Sequence, residues 1–372
     1  MRIGIDATVL PKELGGVGVY LLNLIKALSK IDRRNEYFIF VEKRNIKRFK
    51  LDANFHLLGV KNMPRFSRLL WEQTLFPFLL RKCKIELLHS PRYTTPLMRF
   101  GWKSVVSFHD MLFLLFPKKH SILKRLFYGR IMPAVAKKAE RIIAVSSSTK
   151  KDIMELLNTS SEKIAVIHLG IDFSSRPIEK KNLQNFRKKY QILNPYLLYV
   201  GTLKKRKNIL NLLRAYKKVK EKDREERLII VGRKSKEYQN IHKTVKELGL
   251  EKDVFFTDYV DEKLLPFYYS CASVFVYLSL YEGFGLPVLE AMVSGTPVIV
   301  SNSSSLPEVA GKAAIFVDPH NIEEIAEAMQ KVLGSKELAW EMREKGLERA
   351  KLFSWQECAK KTLNLYEEIT GE

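Results

Sequence analysis

Two glycine-rich loops are the first places where this sequence could hold a ligand. Gly15, Gly16 and Gly18 precede an apolar-periodic helix, and residues 281–287 read YEGFGLP. Glycine lets a backbone approach a ligand closely, and a helix N-terminus offers free N–H groups and about half a positive charge to an anion. Neither loop has the Gly-Lys-Ser/Thr ending of a phosphate cradle or the full GxGxxG spacing. An ordinary tight turn is therefore the alternative for each loop.

Two carboxylates flank the second loop. Glu282 lies within it, and Glu290 lies in the helix that follows. The neighbours of Glu290 include Leu286 and Met292, so its carboxylate is expected to be partly buried and to need a hydroxyl or N–H partner. A ribose offers two vicinal hydroxyls to one carboxylate. The alternative is a bond from Glu290 to a backbone amide of its own domain.

A basic cluster occupies another strand-to-helix turn. Residues 204–208 read KKRKN and follow a predicted strand and Gly201. In parallel sheets ligands bind beyond the carboxyl ends of the strands, so these side chains should reach the same rim as Glu282. Arg206 can bind a diphosphate through two N–H groups and Lys207 can bind it as a point charge. A solvated basic turn is the alternative.

His109 ends a predicted strand at 105–109 and is the remaining candidate for chemistry. A histidine with a purely structural role is the alternative. The sequence contains no Asp-x-Asp pair, no His/Cys/Asp cluster with metal-ligand spacing and no nucleophile elbow. We therefore expect neither a metal nor a cofactor.

The elements that must position these residues follow a strand–helix alternation. Short apolar runs predict seven strands in the first half and six in the second, separated by amphipathic helices, as in parallel sheets covered by helices. We predict two doubly wound α/β domains with a cleft between them, at 1–175 and 190–353. The polar stretch 174–194 is the predicted junction. A last helix is predicted at about 355–369.

The net charge of +23 is unevenly distributed. Residues 1–181 hold 34 basic and 15 acidic side chains, a net of +19, against 30 and 26 in the remainder. Such an excess favours an anionic partner, namely anionic lipid, nucleic acid or a phosphorylated substrate. A lysine-rich solvated surface is the alternative, although it would spread the excess over both halves. No nucleic-acid-binding motif is present.

Other features bear on the compartment. No apolar run approaches the roughly 18–20 residues of a membrane span, and the first ten residues read as a buried strand and not as a secretory signal. The three cysteines, Cys83, Cys271 and Cys358, are widely spaced and show no metal-like pairing. We expect a cytoplasmic protein. The sequence sets no oligomeric state.

Taken together, these stretches resemble the retaining glycosyltransferases of the GT-B type, family four, and within it the mannosyltransferase-like branch of lipopolysaccharide and exopolysaccharide assembly. The similar segments cover nearly the whole chain and keep the family's order: 15–20 (GGVGVY), 106–110 (VSFHD), 201–208 (GTLKKRKN), 279–292 (SLYEGFGLPVLEAM), 295–299 (GTPVI) and 304–311 (SSLPEVAG). The segment from 282 to 290 is the most specific of them.

The resemblance implies a role for each residue around the donor's phosphates and sugar. Arg206 and Lys207 would bind the diphosphate of a nucleotide sugar. Glu282 would lie beside the donor sugar and the departing phosphate, and His109 would contact the sugar from the opposite domain.

It also implies roles for the neighbouring backbone and for the nucleoside. The N–H groups of Gly283, Phe284 and Gly285 would assist at the diphosphate, where the helix begins at Leu286. Gly16 would lie against the phosphates from the N-terminal side. Glu290 would hold the ribose. The base would lie near Gly232-Arg233 and Tyr259-Val260. The last helix, at about 355–369, would cross back to the first domain and pack on it.

One position departs from the family. Many relatives place an arginine where this chain has Thr202, so diphosphate binding is expected to depend more heavily on Arg206 and Lys207.

The expected activity is a retaining, metal-independent transfer of a hexose in cell-surface polysaccharide synthesis. GDP-mannose is the expected donor, and a glycan or a polyprenyl-diphosphate-linked molecule is the expected acceptor, bound by the N-terminal domain. The basic first half would attach the enzyme peripherally to an anionic membrane, through segments 43–50 and 117–138 with Phe113, Phe116, Phe127 and Tyr128 interspersed. No nucleic-acid partner is expected. The alternatives are a nucleotide-sugar epimerase or phosphorylase on the same fold, or a basic nucleic-acid-binding protein.

Overall fold

The computed structural model describes residues 1–11, 15–117, 121–172, 178–192, 194–222 and 224–371. Within the predicted junction, Ser174-Ser175-Arg176-Pro177 lies outside the described residues. The chain divides into two compact units, one formed by Met1–Gly170 with Ser354–Glu372 and the other by Ile171–Phe353. They are called unit 1 and unit 2 below.

Unit 1 contains a parallel sheet. Its described strands are β1 (Arg2–Asp6), β2 (Glu36–Glu42), β3 (Phe55–Val60), β4 (Leu87–Ser90), β5 (Lys103–Phe108), β6 (Arg141–Ala144) and β7 (Ile164–Val166). They are ordered β3-β2-β1-β4-β5-β6-β7. The helices are α1 (Gly16–Ile31), α2 (Arg65–Thr74), α3 (Phe76–Lys82), α4 (Leu112–Leu115), α5 (Ile122–Lys138), α6 (Ser147–Leu157) and, at the C-terminus, α15 (Trp355–Thr370).

Unit 2 contains a second parallel sheet. Its described strands are β8 (Tyr196–Val200), β9 (Arg227–Val231), β10 (Val254–Phe256), β11 (Val274–Tyr277), β12 (Val298–Ser301) and β13 (Ala314–Val317). They are ordered β10-β9-β8-β11-β12-β13. The helices are α7 (Lys180–Lys189), α8 (Ile209–Lys220), α9 (Tyr238–Glu247), α10 (Leu265–Cys271), α11 (Leu286–Val293), α12 (Leu306–Ala310), α13 (Ile322–Gly334) and α14 (Lys336–Ala350).

The two sheets confirm the predicted doubly wound α/β class. The central strands are buried along their whole length, as β8 and β11 show, because helices cover both faces of such a sheet. This explains why these strands read as continuous apolar runs in the sequence. The predicted strand at 105–109 ends one residue early, since β5 stops at Phe108 and leaves His109 in the following loop.

Each sheet has one point where the strand order reverses, between β1 and β4 in unit 1 and between β8 and β11 in unit 2. Strands on the two sides of such a point send their connections away in opposite directions, which opens a crevice beyond their carboxyl ends. The loops after β8 and β11 hold the basic cluster and Glu282. The fold therefore brings these two sequence segments to one place.

The chain re-enters unit 1 beside the point where it leaves. A Cβ on Gly170 would lie 2.2 Å from the backbone nitrogen of Trp355, so only glycine fits there. From Trp355 onwards α15 packs against α1 and β5. The last helix is thus part of unit 1, next to the first helix of the chain.

Among the described residues, none of the helices combines the length and the apolar character that crossing a bilayer would require.

Candidate active site

The centre of the candidate site in unit 2 is formed by the loops that follow β8 and β11. After β8 the chain makes a short 3-10 turn at Lys205–Lys207, and Asn208, with a φ of 56°, ends this turn and starts α8. The backbone N–H of Leu280 donates to the carbonyl oxygen of Arg206 at 2.8 Å, which joins the two loops directly. Arg206, Lys207 and Glu282 are thereby held at the same edge of the sheet.

Glu282 binds both cations of the basic cluster. Its Oε1 accepts hydrogen bonds from Nη1 of Arg206 at 2.6 Å and from Nζ of Lys207 at 2.5 Å. The hydroxyl of Ser279 also donates to this oxygen, and the hydroxyl of Tyr277 lies 3.2 Å from it. These four contacts all fall on Oε1, and none of them involves Oε2.

The charges of this cluster depend on one another because it is buried. The side chains of Lys207 and Glu282 are 8% and 11% exposed. Burial lowers the pKa of Lys207 to about 8, although Glu282 counteracts part of this effect. Burial also disfavours the charged form of Glu282, but Lys207 and Arg206 outweigh it and hold the pKa of that carboxyl below its usual range. At neutral pH the cluster carries two positive charges and one negative charge, a net excess suited to an anion.

The glycine turn is held by serines that the sequence reasoning had not assigned. The Ser305 hydroxyl lies 3.0 Å from the carbonyl oxygen of Glu282 and 2.6 Å from that of Phe284, and Ser304 Oγ accepts from the N–H of Glu282 at 2.8 Å. Gly285 has a φ of +119°, and a Cβ there would lie 2.8 Å from Leu306. Pro287 lies in the first turn of α11, as its missing donor allows. The signal for the serines was present in the 304–311 segment, which carried the family resemblance but no stated role.

Glu290 lies on α11, the helix that starts from the glycine turn. Its Oε2 accepts a hydrogen bond from the hydroxyl of Tyr269 at 2.8 Å. The expected hydroxyl partner is therefore supplied by a tyrosine of α10, and not by a backbone amide. Burial raises the pKa of this carboxyl, while the tyrosine hydroxyl counteracts part of the shift. Sequence reasoning missed Tyr269, since no local pattern links α10 to α11.

The segments expected near the nucleobase meet at the end of β9. The N–H of Gly232 donates to the carbonyl oxygen of Asp258 at 2.9 Å, and the guanidinium of Arg233 lies 4.6 Å from the centre of the Tyr259 ring. Tyr259 is exposed, whereas its neighbour Val260 is buried. An exposed aromatic ring beside an arginine is a surface on which a base can stack.

Gly232 and Thr202 lie in loops at the same edge of the sheet of unit 2. A Cβ on Gly232 would lie 2.0 Å from the carbonyl oxygen of Gly201, so the fold itself requires this glycine. Thr202 lies in the loop after β8, and its carbonyl oxygen accepts from the N–H of Lys204 at 2.8 Å. Within unit 2, Thr202 thus belongs to the same loop as Arg206 and Lys207.

The other two predicted site residues, His109 and Gly16, belong to unit 1. Nε2 of His109 lies 2.9 Å from the carbonyl oxygen of Pro91, which can only accept, so Nε2 carries the proton. Burial lowers the pKa of His109 to about 4, so the ring is neutral at pH 7 and its lone pair lies on Nδ1. Gly16 is the first residue of α1, and a Cβ there would meet no atom of the described residues within 4 Å.

No metal centre is evident in the part of the chain that the structure describes. There, no group of three or more His, Cys, Asp or Glu side chains converges in a way that could hold a metal ion.

Comparison with known proteins gives the family. Residues 14–175 match the model for glycosyltransferase family 4, and residues 182–349 match that for group 1 glycosyl transferases. O-antigen chain mannosyltransferase B of Escherichia coli is 30% identical over 380 residues, which cover 98% of this chain and 99% of that protein. The chain belongs to the group 1, family 4 glycosyltransferases. This membership decides between the expected transferase and the alternatives of an epimerase, a phosphorylase or a nucleic-acid-binding protein.

A further relative and a solved structure are also similar to this glycosyltransferase. The serotype-specific mannosyltransferase WbdA of Escherichia coli is 29% identical over 280 residues, and the match spans 73% of this chain and 34% of WbdA. Among solved structures, a sucrose-phosphate synthase of Thermosynechococcus elongatus has a TM-score of 0.80 at 21% identity, covering 100% of this chain and 99% of that one. This likeness confirms the GT-B type of fold.

The buried ion cluster of the glycosyltransferase predicts a large stability effect. In Glu282→Gln, Lys207 and Arg206 lose their counter-charge, which is expected to lower the free energy of unfolding by about 3–5 kcal/mol. Adding Lys207→Met removes the uncompensated buried charge and should recover at least about 1 kcal/mol of that loss. Urea unfolding of the single and double variants measures both values.

The matched control is Lys205→Met, because Lys205 is an exposed neighbour in the same turn. Added to Glu282→Gln, Lys205→Met should not recover any of the lost free energy of unfolding. Strict additivity of Glu282→Gln and Lys207→Met would show that the two side chains are not energetically coupled.

Proposed function

We propose that this glycosyltransferase transfers a hexose, mannose from GDP-mannose, to a glycan or polyprenyl-diphosphate-linked acceptor in cell-surface polysaccharide synthesis. The supporting observation is the cationic cluster of Arg206 and Lys207 beside the glycine turn of α11, at the point where the strand order of unit 2 reverses. The mannose donor is favoured by the relatives, since a relative that matches over nearly the full length of both chains is named as a mannosyltransferase. The reaction is proposed to retain the anomeric configuration and to need no metal.

The chemistry follows from where charge develops. When the anomeric C–O bond breaks, the sugar becomes oxocarbenium-like and the diphosphate gains a negative charge. Arg206 and Lys207 are held in place by Glu282 before the reaction, so they can stabilise this charge without reorganisation. Loss of one such donor typically costs about 2.7–4 kcal/mol of barrier. The acceptor hydroxyl attacks the face that the diphosphate leaves, and its proton passes to a diphosphate oxygen.

The two glutamates take different parts in this proposal. Glu282 uses Oε1 to orient Arg206 and Lys207, which leaves Oε2 to face the donor sugar. Glu290 uses Oε2 for Tyr269, which leaves Oε1 for the vicinal hydroxyls of the ribose. One carboxylate thus serves the reacting end of the donor, and the other serves the nucleoside.

His109 keeps the role that the family resemblance implies, contact with the donor sugar. Its neutral ring carries a lone pair on Nδ1, which can accept a hydrogen bond from a sugar hydroxyl. A neutral acceptor suits this role because a cationic imidazolium would oppose the positive charge that develops on the sugar. Gly16 is proposed to lie against the phosphates, since the described part of the protein leaves open space beside its Cα.

A donor screen tests the proposed function. GDP at 100 times its dissociation constant should stabilise the protein by about 2.7 kcal/mol, whereas UDP and ADP at equal concentration should stabilise it less. Thermal-shift measurements with GDP, UDP, ADP and their sugars give the ranking, and transfer from the preferred sugar nucleotide is then followed by release of the nucleoside diphosphate. A preference for UDP would contradict the mannose assignment, and absence of binding to all three would contradict the site.

Glu290→Gln is the site variant for this screen. It replaces a charged acceptor at the ribose, so GDP affinity should fall by about 1.5–3 kcal/mol. Glu226→Gln is the matched control, because Glu226 lies immediately before the amino end of β9, away from the loops of the site. Equal affinity losses in both variants would show that Glu290 does not contact the nucleotide.

A pH profile tests the diphosphate role of Lys207. Protonated Lys207 binds the diphosphate, and its pKa is about 8 in the free protein, so kcat/KM should decrease as the pH rises above about 8. A bound diphosphate favours the ammonium form, so the decrease in kcat should occur at higher pH. Both profiles are measured with saturating acceptor.

Lys207→Arg should abolish this decrease, because a guanidinium stays charged at these pH values. Lys205→Arg is the control and should leave it near pH 8. If the decrease persists in Lys207→Arg, another group titrates and the assignment of Lys207 is wrong.

We also propose that unit 1 binds peripherally to the cytoplasmic face of an anionic membrane. The structure corrects the expected apolar contacts. Phe113, Phe127 and Tyr128 pack in or against the core of unit 1, because they fall on the inner face of α4 and α5. The large apolar side chains that α5 exposes include Ile122 and Leu123, which are 73% and 80% exposed, and Leu126, which is 46% exposed.

Basic side chains are also exposed in the two expected segments. Lys124, Arg125 and Arg130 are exposed on α5. Lys43 is exposed in the segment 43–50. Each Lys or Arg near an anionic surface contributes about 1 kcal/mol, which salt screens. Insertion of Ile122 and Leu123 would add apolar burial to this attraction.

Flotation with vesicles tests membrane binding. The wild type should float with vesicles that contain anionic lipid at low salt, float less at high salt and not float with neutral vesicles. The double variant Ile122→Gln/Leu123→Gln should bind at least about tenfold more weakly, given about 1.5–3 kcal/mol for a fully buried Leu or Ile side chain. Leu352→Gln, at a 65% exposed leucine of unit 2, is the control. Binding that salt does not affect, or that the double variant retains in full, would contradict the proposal.

A further inference from the structure

A chain of buried hydrogen bonds runs through unit 1 from the last helix to the first. The hydroxyl of Tyr366 on α15 lies 2.5 Å from Nδ1 of His89 on β4. Nε2 of His89 lies 2.8 Å from Oγ of Ser107 on β5, and that oxygen lies 2.9 Å from the hydroxyl of Tyr20 on α1. All four side chains have an exposed fraction of 0%. The four residues are called the Tyr366–Tyr20 chain below.

This chain ends against His109. The Tyr20 and His109 rings meet edge to face, with their centres 4.7 Å apart and their planes at 73°. On the other side, the Pro91 carbonyl fixes Nε2 of His109. Because His109 lies two residues after Ser107, the end of β5 also links the imidazole to the middle of the chain. The orientation of His109 is thus set by one hydrogen bond, one ring contact and a short backbone connection.

The hydrogen-bond donor and acceptor roles of the four side chains in the Tyr366–Tyr20 chain depend on one another. Burial lowers the pKa of His89 to about 3, so its ring is neutral and donates at one nitrogen while it accepts at the other. Ser107 lies between His89 and Tyr20 and must match whichever nitrogen carries the proton. Removal of one hydroxyl therefore disturbs the donor and acceptor roles of all the other members.

We propose that Tyr366, His89, Ser107 and Tyr20 are positioning residues that hold the imidazole of His109 in its productive orientation and make that orientation depend on the docking of α15 in unit 1. The inference rests on the proposed role of His109 at the donor sugar. The helix involved begins at Trp355, directly after the chain returns from unit 2. A change in how α15 packs in unit 1 would therefore change the orientation of the His109 ring.

Conservative variants test the chain. Tyr366→Phe and Tyr20→Phe each remove one hydroxyl and keep the ring, and each should lower kcat about 2- to 30-fold, with the KM for the donor changed less than about twofold. Because the members act as a unit, the double variant should lose no more than the larger single loss, within about twofold. Ser107→Ala, which interrupts the chain at its centre, serves if a tyrosine variant folds poorly.

Tyr37→Phe is the matched control. Tyr37 is also fully buried in unit 1, and its hydroxyl donates to Asp32 at 2.6 Å, outside the chain. This variant should lower the melting temperature but leave kcat unchanged. Equal kcat losses in Tyr37→Phe and Tyr366→Phe would reduce the chain to ordinary structural hydrogen bonds and overturn the proposal.

An NMR measurement separates this inference from the proposed function. In protein labelled with ¹⁵N histidine, with His109 assigned through His109→Gln, the His109 ring resonances should shift in Tyr366→Phe and stay unchanged in Tyr37→Phe. Unchanged His109 resonances in Tyr366→Phe would overturn the proposal that the Tyr366–Tyr20 chain positions His109. If the resonances shift but His109→Gln transfers sugar at the wild-type rate, the chain is supported and the role proposed for His109 is wrong.

Discussion

The buried ion cluster of Lys207, Arg206 and Glu282 is the interaction on which the candidate site of unit 2 depends. An ammonium removed from water is costly, and Lys207 stays charged at neutral pH because a carboxylate lies 2.5 Å away. The partners are 75 residues apart in the chain, so the cluster forms only when β8 and β11 lie side by side. The cations that remain in excess are therefore fixed by the fold before any ligand arrives.

Hydrogen bonds within the surrounding loops support this arrangement. Ser304 and Ser305 hold the glycine turn from the loop after β12, and Gly285 adopts a backbone conformation that other residues rarely take. A site whose donors are already oriented spends no free energy on orienting them during the reaction. This is the physical advantage of fixing cations at the edge of a sheet and not on a long mobile loop.

Unit 1 uses burial in the opposite way. There burial lowers the pKa of His89 and His109, so two imidazoles are kept neutral in a half of the chain that carries a net charge of +19. Neutral rings can accept hydrogen bonds as well as donate them, and this property allows the Tyr366–Tyr20 chain to exist. The buried charged side chains of unit 1 include the ion pair of Arg68 and Glu72, whereas the Tyr366–Tyr20 chain consists of neutral polar groups.

The local features of this protein can be predicted from its amino-acid sequence. Strand and helix periodicity, the glycine turn before Pro287 and the basic turn at Arg206 and Lys207 are encoded by neighbouring residues, so the doubly wound fold and the placement of these residues beyond strand ends could be predicted. Tertiary structure alone decided the partners: that Oε1 of Glu282 binds both cations, that Tyr269 holds Glu290, and that Tyr366 reaches His89 across 277 residues. These contacts join elements distant in the chain, and they depend on strand order and helix packing, which no local pattern of residues specifies.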